Sequence, residues 1–393
     1  MKQFFVHLLA RNYGLQVKEE DIFFSSKFQR LLQEKKFDSA SWFDVEPFLL
    51  DDEGNPDYWG TCFYMINSLQ EYADTPLDKF GRFRYEDSYQ SHFSCVEENL
   101  VEKYLRLALV KTKLPIQKSR FLVTHDVDLI NSGLKQEFHF LKNKKGIINA
   151  FLFVLSHFLQ KRTWSNIDKI MKMETEYDLK STFFWIANNE KDKANNIRNG
   201  DYKIKEKKVQ ESLDWIEKKE NFEIGIHKSS NSTSINEELK ILNRNVIANR
   251  YHYLKFHPKN DYEKLSKSRI KVDCSLGFAE KMGFRNSYGL PFRPYDMVNG
   301  KLYDFLEVPL QIMDTTFMTY RRGVFSKQKI EKNIFDFLES NNENSLISIL
   351  WHNEKMTELS FSDLLHIFKS IMQYIYETKS TTLTVSEVYD EYC

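Results

Sequence analysis

From residue 119 onward the chain repeats one pattern, a short apolar run followed by a longer span with helical spacing. The apolar runs are RFLVTHDVD (120–128), STFFWIA (181–187), FEIGIH (222–227), RYHYLKF (250–256), RIKVDCSL (269–276), FLEVPLQIM (305–313), SLISILWH (345–352) and TTLTV (381–385). They are rich in β-branched and aromatic residues, which suit a pleated surface. Helix-like spans lie between many of them, at 164–178, 205–219, 235–248, 260–267, 327–340 and 360–377. Strands alternating with helices predict an α/β fold, a parallel sheet or (β/α) barrel, because parallel neighbours need a long crossover. In such barrels the chemistry gathers at the C-terminal ends of the strands.

Residues 1–118 lack this rhythm and read as a smaller α+β unit. A short apolar strand is expected at Phe4–Leu9, a helix in TCFYMINSLQEYA, and a turn in DTPLDKFGRF, broken by Pro76 and Gly81. Val96, Leu100, Tyr104 and Leu107 have helical spacing. KTKLPIQK (111–118) reads as a linker, so the expected domains are 1–118 and 119–393, two units being reasonable for 393 residues.

Zero formal net charge argues against nucleic acid, whose binding rests on a basic face. No run of about 18 apolar residues exists, so no transmembrane segment is expected. Cys62, Cys95, Cys274 and Cys393 form no C-x-x-C pair, and the N-terminus has no signal-peptide pattern; the expected location is cytoplasmic. KNKKGIINAFLFVLSHFLQKR (142–162) is an apolar helix flanked by basic residues. It reads as a buried helix or lid, or as a weak membrane-surface contact suited to a lipid-linked substrate.

The apolar runs end on ionisable groups. Asp126 and Asp128 close the first, His227 the third and His352 the seventh. Solvated strand ends account poorly for three such coincidences, two of them histidines. Strand periodicity puts Asp126 and Asp128 on the same side, about 6–7 Å apart. Two carboxylates there repel unless a divalent metal takes one and leaves the other as a base. His227 suits a metal such as zinc. Asn231, four residues on, is a weaker ligand candidate and equally a capping residue. His352 reads as a general acid or as a core histidine beside Trp351. His125 falls on the opposite strand face. His252 is a possible replacement ligand, two residues after Arg250 on the same strand face.

The strings FLVTHDVD, STFFW, FEIGIH and ISILWH, in this order, resemble the motifs of polysaccharide deacetylases, the NodB-homology fold of carbohydrate esterase family four. The resemblance covers about 119–393 and implies a distorted (β/α) barrel. The family's first motif is usually T-F-D-D-G, with a base and then a metal ligand. Here it is T-H-D-V-D, which implies Asp126 as base and Asp128 as ligand. The second motif, H-[ST]-x-x-H, appears as His227-Lys228-Ser229-Ser230-Asn231 and departs at its last position. The third motif's arginine, set against the base, falls on Arg250 by motif order, with Arg285 in GFRNSYG as competitor. Asp273 stands in the fourth motif, and Leu350-Trp351-His352 matches the fifth, which supplies the acid. FYMINSLQEYADTPLDKFGRF resembles the N-terminal domain of a bacterial subgroup in which DxxGRF and HDVD occur together.

The implied activity is metal-dependent removal of N-acetyl or O-acetyl groups from a carbohydrate in polysaccharide biosynthesis, with zinc as the expected metal and a glycan as partner. The departure at Asn231 motivates an alternative, a catalytically inactive glycan-binding module. A third reading is a different amide or formyl hydrolase on the same fold.

Overall fold

The computed structural model describes residues 1–131, 138–139, 141–143, 146–160, 164–319, 326–358 and 361–393. The N-terminal unit opens with helix α1 (Lys2–Tyr13), where the sequence suggested a strand. The run Phe4–Leu9 is too short to separate the two periods, and Phe4, Phe5, Leu8 and Leu9 are all buried, as on one helical face. Gly14, at φ 65°, closes the helix. Helices α2 (Tyr58–Ile66) and α3 (Leu100–Ala108) follow, with a small antiparallel ladder between Leu49–Leu50 and Pro56–Asp57.

The second unit is built on a curled parallel sheet. Its strands are β1 (Arg120–Val127), β2 (Ser181–Ile186), β3 (Phe222–Lys228), β4 (Ala248–Tyr251), β5 (Val272–Asp273), β6 (Leu306–Glu307), β7 (Ile312–Met313) and β8 (Leu346–Leu350). Their spatial order is β6-β5-β4-β3-β2-β1-β8-β7, and each pairing is parallel. β1 and β2 are buried almost throughout, as expected for central strands covered on both faces. The two edge strands are the two halves of one extended segment. β6 pairs with β5 and β7 with β8, while in between Val308 N donates to Asp273 O and Gln311 N to Ser348 O. The result is an open half-barrel whose edges are joined by the chain itself. The expected strand at 381–385 is reduced to one bridge, Phe121 to Thr382, because Thr384 already caps the last helix with Glu387.

Helices α4 (Ile147–Gln160), α5 (Ile167–Thr175), α6 (Lys207–Ile216), α7 (Ile235–Leu242), α8 (Pro258–Ser266), α9 (Asp314–Thr319), α10 (Lys327–Ser340), α11 (Ser362–Glu377) and α12 (Val385–Tyr392) complete this unit. α5 to α8 lie between successive strands, as right-handed crossovers require. α4 differs. Ala150 and Phe153 are buried with Leu141, but Ile147, Ile148, Phe151, Leu152 and Leu155 are exposed. Among the described residues no helix is long and apolar enough to cross a membrane.

The two units share one continuous hydrophobic core. The chain after β5 is clasped by the N-terminal unit: Phe284 N donates to Val96 O, and Val101 N to Ser287 O. Arg285 is buried here against Glu71, with Nε 2.8 Å and Nη2 2.5 Å from its two carboxylate oxygens. This competitor for the third-motif position is therefore committed to the interface between the units.

Candidate metal centre

The C-terminal ends of β1, β3, β4 and β8 converge. The register runs from Val127 across Trp185 and Ile226 to Asn249. Asp128, His227 and Arg250, each one residue further along the chain, therefore fall on one level, and Asp126 lies two residues before it. Asp128 follows β1 directly, His252 follows β4, and His352 lies two residues beyond β8.

Asp128, His227 and His252 each bring a donor atom into a cluster whose members lie within 4.8 Å of one another. His227 Nε2 is 3.4 Å from Asp128 Oδ1, and His252 Nε2 is 3.3 Å from Asp128 Oδ2. The far side of each ring fixes its tautomer. His227 Nδ1 donates to the Arg250 carbonyl at 2.9 Å. His252 Nδ1 donates to Asn199 Oδ1 at 2.8 Å, an oxygen that also accepts from Ser230 N. With Nδ1 carrying the hydrogen, each neutral ring turns the lone pair of Nε2 toward Asp128. His227 Nε2 and Asp128 Oδ1 are buried with no hydrogen-bond partner among the described residues. These two orphaned atoms together with His252 Nε2, one oxygen and two imidazole nitrogens in all, fit a divalent metal with an open position.

The electrostatics point the same way. Burial raises the Asp128 carboxyl, but His252 and His227 outweigh it and hold the group well below its ordinary range. Burial lowers His227, yet Asp126 and Asp128 bring it above its ordinary value. In His252 burial wins, and the ring is held toward the neutral form. The two carboxylates thus favour positive charge beside them at His227, while His252 is kept in the neutral form that a metal ligand needs.

The Asn231 side chain is bonded within its own turn and to a neighbouring loop. Its Oδ1 accepts from Ser229 Oγ and Thr233 N, and its Nδ2 donates to Glu190 O, the contacts of an Asx turn. The chain after His227 is pinned instead by a buried ion pair, Lys228 Nζ to Glu238 at 2.9 Å. Its side chain occupied in this way, Asn231 presents no ligand atom where His252 does.

Asp126 stands beside the cluster. One oxygen accepts from Arg250 Nη1 at 3.0 Å, and the other lies 3.3 Å from His227 Nε2. Arg250 is itself fixed by Cys274 O and Thr124 Oγ1, with its guanidinium 4.5 Å from the centre of the Phe184 ring. Opposite, His352 Nε2 is 3.8 Å from Asp128 Oδ2. Asp314, at the start of α9, accepts from His352 Nδ1 and from its backbone N–H, both at 2.7 Å. Burial lowers the His352 ring, but Asp314 more than compensates and raises it to about 10.

Asp273 is buried beside Asn249 and Ser275, and burial pushes it up to about 6. No contact links it to Asp126 or Asp128 among the described residues. His125 faces the other way, bonded to Trp351 O and Glu174 in the core. Two supporting residues escaped the sequence reading. Asp314 sits immediately after an apolar run, the same position that singled out Asp126 and His352. Asn199 lies in a loop with no periodic signal.

A cavity of about 470 Å³ opens onto this cluster, lined by Asp126, Asp128, His252 and His352 and, from the N-terminal unit, by Phe80 and Arg82. It falls in the usual size range of small-molecule sites.

Residues 7–115 match a sequence-family profile described as a family of unknown function, DUF7033. No curated protein matches the sequence. Among solved structures, the chain is similar to a protein provisionally described as a polysaccharide deacetylase from Mycobacterium smegmatis, at 10% identity and a TM-score of 0.41, over 70% of this chain and 91% of that one. It is also similar to a 4-alpha-glucanotransferase from Thermococcus litoralis, at 10% identity and a TM-score of 0.38, over 70% of this chain and 40% of that one.

Proposed function

We propose that this protein is a metal-dependent hydrolase that removes an acetyl group from a sugar. One observation carries the proposal: Asp128, His227 and His252, a cluster able to hold a divalent metal, lie between a carboxylate held by an arginine and a histidine held by an aspartate. The motif resemblance supplies the substrate class. A metal bound there supplies polarisation of an acyl carbonyl and activation of water.

The rest falls to the chain's own side chains. Arg250 fixes one oxygen of Asp126, so the other stays oriented toward the cluster and can take a proton from water. His352, kept protonated by Asp314, is placed to deliver a proton to the departing amine or alcohol. A carboxylate held by an arginine beside a histidine raised by an aspartate is the arrangement of a base and acid pair.

The test uses zinc-loaded full-length protein and measures acetate release from N-acetylated and O-acetylated sugars. Asp126→Asn is expected to lower turnover by about 10²–10⁴-fold while metal content stays within error. Full acetate release by this variant removes Asp126 as the base. Absence of metal and acetate, with measurable glycan binding, favours the alternative of a silent binding module.

A further inference from the structure

The DKFGRF turn of the N-terminal unit has no part in the steps above, yet it lines the cleft. Asp78 organises it: Oδ1 accepts the backbone N–H of Phe80 at 2.8 Å and of Arg82 at 2.9 Å, and Oδ2 accepts Arg82 Nε at 2.8 Å. Gly81 has φ +80°, a left-handed conformation that side-chain-bearing residues rarely adopt, so the turn requires glycine there. The turn then grips the barrel. Arg82 Nη1 donates to Tyr253 O at 3.0 Å, and His257 Nε2 bonds Gly81 O at 3.0 Å.

What it grips is the backbone directly after His252. Tyr253 and Leu254 have φ of 63° and 51°, two consecutive left-handed positions with no glycine. Such conformations persist only where the surroundings impose them. Arg82, 5% exposed, is one of the groups that does so. Through this strained step the Tyr253 ring reaches the cleft, with its centre 5.1 Å from that of Phe80. Both rings are partly exposed. Lys79 Nζ and the Arg82 guanidinium also lie 4.9 and 5.0 Å from the centre of the Phe80 ring, and the same cleft is lined by Arg198, Asp201 and Lys355, so it offers aromatic and polar groups together.

We infer that the 78–82 turn is a working part of the substrate site, with Arg82 positioning Tyr253 and Phe80 forming with it an aromatic wall for one face of a sugar ring. A pyranose offers an apolar C–H face and a rim of hydroxyls, which matches a cleft lined by both aromatic rings and polar groups. The inference rests on the deacetylase reading and deepens it. The N-terminal unit becomes a specificity element for a substrate longer than the acetylated sugar alone.

The test measures acetate release by the zinc-loaded full chain from the N-acetylglucosamine tetramer, for wild type, Phe80→Leu and Phe80→Tyr. Losing the ring in Phe80→Leu is expected to raise KM about tenfold, while the ring-retaining Phe80→Tyr stays within about twofold of wild type. Equal KM in all three overturns the inference and leaves the deacetylase reading standing. Equal losses in Leu and Tyr, or a Leu variant that does not fold, make Phe80 a structural residue and also overturn it. If wild type releases acetate neither from this tetramer nor from the N-acetylated and O-acetylated sugars above, the deacetylase reading falls and takes the inference with it.

Discussion

Two buried arginine–carboxylate pairs lie in different parts of the molecule, and they are built differently. Arg285 and Glu71, which join the two units, form a closed bond. Nε and Nη2 take both carboxylate oxygens, and the remaining donors reach Gly277 O and Phe256 O. Arg250 and Asp126, in the cleft, form an open one. A single donor reaches a single oxygen, Nη2 has no partner among the described residues, and the second Asp126 oxygen is left facing His227. A saturated pair is a fastening. An unsaturated pair holds a carboxylate in place and still leaves it an oxygen with which to react.

The sharpest way to break this comparison is to neutralise each acid in turn. Glu71→Gln leaves the desolvated Arg285 charge unpaired and is expected to cost about 3–5 kcal/mol in urea unfolding, with zinc stoichiometry unchanged. A loss below about 1 kcal/mol shows that the interface pair is not a fastening. Asp126→Asn should report chiefly in turnover, as described above.

A finer cut compares the cluster's ligands with the residues around them. His252→Ala should weaken zinc more than any change outside the cluster. Asn199→Ala, which frees the His252 ring to turn, should weaken zinc by about 10–100-fold. Asn231→Ala should leave affinity nearly unchanged, because its amide is bonded within its own turn. Competition titration against a chelating dye reads all three, and a large loss in Asn231→Ala would return that residue to the ligand set.

The smallest effect concerns pH. His352 is raised from 6.5 to about 10 in the folded protein. Its pairing with Asp314 therefore stabilises the fold fully below about pH 6.5 and fades as pH climbs toward 10. Asp314→Asn should pull the alkaline limb of activity down toward the ordinary histidine range and reduce stability most below about pH 6.5, with the loss shrinking as pH climbs toward 10. An unmoved limb would separate His352 from proton delivery.

These contrasts were unevenly legible in the sequence. Long, fully buried strands such as β1 and β2 announce themselves by composition, and the groups at their ends could be picked out because a charge rarely closes an apolar run without reason. β5, β6 and β7 pair over two residues each, so the FLEVPLQIM run read as one strand and its division between two neighbours was invisible. α1 was misread because six residues are too few to tell a period of two from one of 3.6. His252 could be named as a candidate, but its advantage over Asn231 depends on the turn after His227, which spacing alone does not reveal. Asn199 and the grip of Arg82 on Tyr253 are tertiary contacts, absent from any local pattern.

The division of that one strand bears on how the molecule is made. β1 pairs on one side with β8, and the Thr124 hydroxyl reaches Ile349 O across 225 residues of chain. At ordinary rates of synthesis that gap lasts on the order of 10–45 s. Until β8 emerges, one edge of a strand that is almost wholly buried in the finished fold stands without its neighbour, a template for unwanted pairing between nascent chains. The seam across 306–313 also stays half-docked, because β7 has no partner until then. Asp126 and Asp128 are made early and wait for His352, so the candidate site is completed in one late step.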